Sequence, residues 1–178
     1  MSPTEPEPDL TAATRLFGRL LVRELDAATL TELREPAIAD ALEAVGVALP
    51  SAGQLPELAS IYFELFLHPP DSLPPVQSLW RDGRFDTEPA AAVRRIAAAA
   101  GRELAGGARG AAPDHLGCIL LLMAELRSTH PELVADLVQH HLAWGEHALR
   151  AAAARSDFYG AVTRATISLI HALRSAPL

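Results

Sequence analysis

Apolar residues recur every three or four positions along nearly the whole chain, and this periodicity is the strongest constraint on its fold. The stripe of Leu16, Phe17, Leu20 and Leu21 is typical of an amphipathic helix, and similar stripes continue to Leu173. No segment alternates with a period of two over five or more residues. We therefore predict an all-α fold, a compact bundle of about nine helices without a sheet. The helix after Pro113 is apolar almost all round, so we expect it to be central and buried.

Short polar and conformational signals mark the expected helix ends. Asp26 is expected to open the second helix, Pro36 suits the first turn of the third, and Gly46 is a plausible stop for it. Ser156 is expected to cap the last helix.

A proline-rich stretch over residues 68–86 interrupts the helical pattern and carries no helical stripe. Its apolar residues favour an ordered loop rather than a flexible linker. They are Val76, Leu79, Trp80 and Phe85. We predict a disordered tail over 1–9 and a single domain over 10–178. This domain consists of N-terminal helices (10–67), a hinge loop (68–86) and C-terminal helices (87–178). Because segments can exchange across such a hinge, we expect a monomer or a domain-swapped dimer.

The composition limits the partners and the compartment. The 178 residues carry a formal net charge of −7 without clustered basic residues, which argues against a nucleic-acid partner. The longest apolar run, Leu116 to Ala124, is far shorter than the ~20 residues of a membrane-spanning helix. The acidic N-terminus has no basic and apolar regions of a secretory signal. We expect a cytoplasmic protein that is not inserted stably in a membrane.

The segment PDHLGC (113–118) is the sharpest cluster of chemically active side chains. Cys118 lies one helical turn from His115, and a thiolate beside an imidazolium at a helix start is a possible nucleophile. The structural interpretation is the stronger one, because Asp114 is a natural helix-start acid and Cys118 lies in an apolar helix. We predict no catalytic residue here.

A second cluster, HHLAWGEH (140–147), would place His140, Trp144 and His147 on one face of an unbroken helix. Two histidines are fewer than the three or four ligands of a stable metal site. The sequence also lacks the glycine-rich nucleotide-binding motifs. We therefore predict no metal and no cofactor, while a histidine- or cysteine-based or metal-dependent enzyme and a generic helical adaptor remain alternatives.

Four segments in this order resemble the TorD/DmsD/NarJ family of redox-enzyme maturation chaperones, and the TorD and DmsD branches most. The segments are PPVQSLW (74–80), PDHLGCILLLMAEL (113–126), HHLAW (140–144) and DFYGAVTRAT (157–166). The sequence departs from the family at Ala143, where a proline is common, and at Val76, where an aromatic residue is common. Either His140 or His141 matches the family's histidine.

The resemblance implies a non-enzymatic cytoplasmic chaperone. It would bind the twin-arginine signal peptide or apoprotein of a molybdenum-cofactor oxidoreductase and hold back export until the cofactor is inserted. Such a peptide offers two cations and an apolar stretch, so we expect Asp114 and His115 to emerge at the start of the buried helix. The implied signal-peptide-binding residues are Gln77, Ser78, Leu79, Trp80, Asp114, His115, His140, His141 and Trp144.

Overall fold

The computed structural model describes residues 10–67, 74–102 and 111–176, which form ten α-helices. These are α1 (Leu10–Val22), α2 (Ala27–Leu33), α3 (Pro36–Ala44), α4 (Leu55–Tyr62), α5 (Gln77–Asp82), α6 (Glu88–Ala99), α7 (Leu116–Leu126), α8 (Pro131–His141), α9 (Ala143–Ala153) and α10 (Phe158–Ser175). A 3-10 turn (Ala52–Gln54) precedes α4, and a π-helical turn (Phe63–Leu67) extends it. These described residues contain no strand beyond an isolated bridge between Val76 and His115, which confirms the all-α prediction.

Most helix ends follow the local sequence signals. The side chain of Asp26 accepts a hydrogen bond of 2.7 Å from the N–H of Thr29 and so caps α2. Pro36 stands in the first turn of α3, where a missing N–H costs nothing. Gly46 follows the end of α3 with a φ of 77°, a left-handed conformation that favours glycine.

The start of α10 differs from the prediction. Its cap is Asp157 rather than Ser156, because the Asp157 carboxylate accepts a hydrogen bond of 2.9 Å from the N–H of Gly160. A Cβ atom on Gly160 would lie 2.1 Å from the carbonyl oxygen of Arg155. The tight turn therefore requires both the acid and the glycine.

Helix α7 lies at the centre of the bundle, as predicted, and nine of its eleven residues are buried. It packs closely against α1, where a Cβ atom on Gly117 would lie 2.7 Å from the carbonyl oxygen of Gly18. Buried residues from α1–α4 and from α6–α10 belong to one continuous apolar core. The helices before and after the predicted hinge therefore pack directly on each other.

The predicted tail (1–9) and residues 68–73 of the predicted hinge loop lie outside the described residues. The rest of the loop contains α5, which the sequence pattern did not indicate, because six residues are too few to show a helical stripe. Phe85 is among the apolar residues expected to hold this loop in an ordered form, but it is 58% exposed, so this expectation is wrong for Phe85. Hinge behaviour and domain swapping stay predictions.

Candidate functional site

Residues 74–82, here called the strap, cross the N-terminal end of α7. Val76 faces His115 in the antiparallel bridge. On one side of this pair the N–H of Gln77 donates to the carbonyl of Asp114 at 3.0 Å, and on the other the N–H of Leu116 donates to the carbonyl of Pro75 at 2.8 Å. Main-chain hydrogen bonds thus join the strap to α7. This pairing is too short to leave a period of two in the sequence.

The Asp114 carboxylate lies beneath the strap and is fully buried, with 0% exposure. Its Oδ2 accepts a hydrogen bond of 2.6 Å from the N–H of Ser78. Its Oδ1 and the Ser78 hydroxyl are also buried, and neither has a hydrogen-bond partner in the described part of the chain. The prediction that Asp114 emerges at the helix end is wrong, because the strap packs over that end.

His115 caps α7 and is buried as well, so it does not emerge either. Its Nδ1 accepts a hydrogen bond of 3.1 Å from the N–H of Gly117, which requires a neutral ring. Burial lowers the pKa of His115 to about 4 and raises the pKa of Cys118 to about 11. Because both groups are neutral near pH 7, the geometry favours a structural role for Cys118 over an activated thiolate.

Gln77 holds the strap to the junction of α8 and α9. Its Nε2 donates to the carbonyl of His140 at 3.0 Å, and its Oε1 accepts from Nδ1 of His141 at 2.6 Å. His141 is buried, and this burial lowers its pKa. The His140 ring is exposed instead, with Nδ1 2.7 Å from the Asp136 carboxylate. The structure thus brings His141, and not the His140 ring, to the strap.

Three half-buried apolar side chains lie beside this polar cluster: Leu79, Trp80 and Trp144. The indole N–H of Trp80 donates to the carbonyl of Pro74 at 2.8 Å, and that of Trp144 donates to the carbonyl of His141 at 2.9 Å. Helices α5 and α9, which carry the two tryptophans, are in contact. With each polar N–H already bonded, the exposed parts of the rings offer apolar surface.

The predicted face shared by His140, Trp144 and His147 is wrong in its geometry, because α8 ends at His141 and α9 begins at Ala143. The helix is interrupted at Leu142, so the three side chains do not lie on one continuous helix. Among the residues that the structure describes, no group of three or more histidine, cysteine or acidic side chains is arranged to hold a metal ion.

The family model described as "Nitrate reductase delta subunit" matches residues 23–155. The chain belongs to the nitrate reductase delta subunit family. This match confirms the predicted family membership. The family comprises NarJ/TorD-type chaperones, which act in molybdoenzyme maturation and are not enzymes. The matched span contains all nine predicted binding residues and ends before α10. No curated protein matches the chain. Within residues 10–67, 74–102 and 111–176, none of the helices combines the length and the hydropathy of a membrane span.

Proposed function

We propose that this family member is a cytoplasmic chaperone for an exported molybdenum-cofactor oxidoreductase. It binds the client's twin-arginine signal peptide, or a segment of the apoprotein, and holds back export until the cofactor is inserted. Membership of the molybdoenzyme chaperone family supports the general role. The finer proposal depends on one observation: the buried carboxylate of Asp114, one oxygen of which has no partner among the described residues, lies beside half-exposed tryptophans.

The charges around the strap suit a cationic peptide. Oδ1 of Asp114 is an acceptor without a donor in the described residues, and a guanidinium supplies directed N–H donors with a positive charge. Two more acids, Glu88 and Asp136, lie close enough for their charges to act on His141, as does Asp114. Glu88 is already paired with the guanidinium groups of Arg81 and Arg95, so a second arginine of the peptide would compete with these two residues for its carboxylate.

The apolar part of a signal peptide needs a different surface. In our proposal, Leu79 and the rings of Trp80 and Trp144 contact the residues that follow the arginine pair. Half-buried aromatic rings are effective anchors, because they provide a large contact area with few rotatable bonds to fix. The main-chain carbonyls that hold the two indole N–H groups keep these rings in place before binding.

Fluorescence anisotropy with a labelled signal peptide tests the function. We expect the Arg-Arg peptide to bind at least tenfold more tightly than the same peptide with Lys-Lys. A lysine offers a point charge without the planar fork of donors. A peptide with Ala-Ala is the matched control and should bind most weakly. Equal affinity for all three would favour a generic helical adaptor. Capture of a client with and without its signal segment then separates signal-peptide binding from apoprotein binding.

A further inference from the structure

Among the residues that the structure describes, the closed strap leaves two polar atoms without hydrogen-bond partners at the same buried place. These are Oδ1 of Asp114 and the hydroxyl of Ser78, and both residues have 0% exposure. Buried polar groups in folded proteins are nearly always hydrogen-bonded, so this arrangement disfavours the closed state relative to one in which donors reach Asp114. The hydrogen bond that the carboxylate does accept within the described ranges comes from the main-chain N–H of Ser78, which occupies an oxygen that a guanidinium would otherwise use.

We propose that the strap is an autoinhibitory lid over Asp114. In the closed state the N–H of Ser78 takes the place of an arginine, and an arginine-bearing peptide gains the carboxylate only after the strap leaves the end of α7. This inference rests on the proposed function and adds a regulation to it. The full burial of the Asp114 carboxylate is the reason for this regulation, because a peptide cannot reach Asp114 while the strap is closed.

In the described part of the chain, hydrogen bonds and ion pairs hold the strap in three places. At the start of α7, three hydrogen bonds join residues 75–78 to residues 114–116. At the α8–α9 junction, the Gln77 side chain makes two more bonds. At the start of α6, the Thr87 hydroxyl donates to the Asp82 carboxylate, and the Arg81 guanidinium lies 3.6 Å from the Glu88 carboxylate. Past the strap, Gly83 and Asp86 have φ values of 70° and 58°. Asp86 is a non-glycine residue in the left-handed region, and the contacts of Asp82 with Thr87 and of Arg81 with Glu88 cross this turn.

Substitution of Gln77 can test the closure of the strap separately from the recognition of the peptide by Asp114. Its side chain bonds His140 and His141 at the C-terminal end of α8, while its contact with residue 114 is made by the main chain. A Gln77→Ala change therefore removes two closing bonds and leaves the Asp114 carboxylate intact. If only the open state binds, a larger open fraction lowers the apparent dissociation constant in proportion.

The first test compares the affinity of the Arg-Arg peptide for the wild type, Gln77→Ala and Gln139→Ala. We expect Gln77→Ala to bind the peptide three- to tenfold more tightly. Gln139 is exposed on α8 and provides the matched control, which should bind like the wild type. Unchanged or weaker binding by a folded Gln77→Ala protein would overturn the lid.

The second test locks the strap. Val76 and His115 form a non-hydrogen-bonded pair, because the hydrogen bonds of the bridge are made by their neighbours on either side. In such a pair the two Cα atoms are about 4.5 Å apart. This distance suits a disulfide. In a Cys118→Ala background, Val76→Cys with His115→Cys should bind the peptide at least tenfold more weakly when oxidised than when reduced. The oxidised and reduced forms both lack His115, so the effect of losing His115 on peptide affinity cancels in this comparison. Equal affinity would contradict the lid.

A third measurement requires no peptide. Amide hydrogen exchange should show the N–H groups of Gln77, Ser78 and Leu116 opening together, faster than the N–H of Leu120 within α7, and faster still in Gln77→Ala. If these four N–H groups all exchange only at the rate of global unfolding, the lid is overturned, even if the wild type binds the peptide. If the strap amides exchange early but no form of the protein binds the Arg-Arg peptide, the proposed function fails while the opening of the strap stands.

Discussion

The Asp114 carboxylate accepts a hydrogen bond of 2.6 Å from the N–H of Ser78, 36 residues earlier in the chain. Its own main-chain carbonyl accepts the N–H of Gln77. Asp114 thus binds the first two N–H groups of α5, a task that Val76 at the cap position cannot do with an apolar side chain. The acid that sequence reasoning placed at the start of α7 caps a different helix.

Replacing the carboxylate by an amide tests whether Asp114 also binds the client. Asp114→Asn keeps the shape and an oxygen for the N–H of Ser78, so we expect a folded protein. Loss of a charged hydrogen bond should weaken Arg-Arg peptide binding by about 1–3 kcal/mol. Peptide titration, together with thermal unfolding, checks this result. Unchanged affinity in a folded variant would limit Asp114 to its capping role.

Trp80 offers a test of the apolar half of the site. Trp80→Ala should lower the peptide affinity by roughly 1–2 kcal/mol through lost apolar contact. This loss should hardly change with salt, whereas the effect of Asp114→Asn should shrink as salt rises. Phe85, an aromatic residue 58% exposed outside the strap, provides the control. If Phe85→Ala weakens binding as much as Trp80→Ala, the apolar contact is not specific to Trp80.

The fold was predictable from the sequence because most helices are long enough to show an apolar stripe, as α1 and α10 do. The elements that build the candidate site were not predictable in this way. Helix α5 has six residues, and the pairing of the strap with residues 114–116 connects distant segments over three positions. The resemblance identified Asp114 and His115, but neither periodicity nor spacing indicates that another segment covers them. Burial of this kind depends on tertiary packing.

The contact between α1 and α7 predicts a large effect of one methyl group. A Cβ atom on Gly117 would lie 2.4 Å from Cγ2 of Val22 and 2.7 Å from the carbonyl oxygen of Gly18. Because the helix backbones must separate, Gly117→Ala should lower the free energy of unfolding by about 1–3 kcal/mol or more. Chemical denaturation measures this change. Gly53→Ala is the control, since its Cβ would meet nothing closer than 3.9 Å.

Cys118 should behave as a core residue rather than a nucleophile. It is 5% exposed, and burial raises the pKa of its thiol to about 11. We expect slow alkylation at pH 8 in the folded protein and rapid alkylation after unfolding. Cys118→Ser should cost about 1–3 kcal/mol of stability through a poorly bonded hydroxyl and leave peptide binding nearly intact. Loss of function in a folded Cys118→Ser protein would restore the enzyme hypothesis.

His115 makes the stability of the protein depend on pH. Its pKa falls from 6.5 to about 4 on folding, because burial disfavours the charged ring. The unfolded chain therefore binds a proton more readily than the native protein. The stabilising contribution is complete above pH 6.5 and is lost as the pH falls towards 4. A shift of this size corresponds to about 3 kcal/mol at most.

The matched variant is His115→Asn, since asparagine also accepts the N–H of residue 117 as a helix cap but does not titrate. Denaturant unfolding from pH 7 to pH 4 should show a steeper loss of stability in the wild type than in His115→Asn. The pKa of His141 is also lowered, but His141 is present in both proteins, so the difference between the two curves isolates His115. Parallel curves over this range would mean that His115 takes up its proton equally well in the folded and unfolded states.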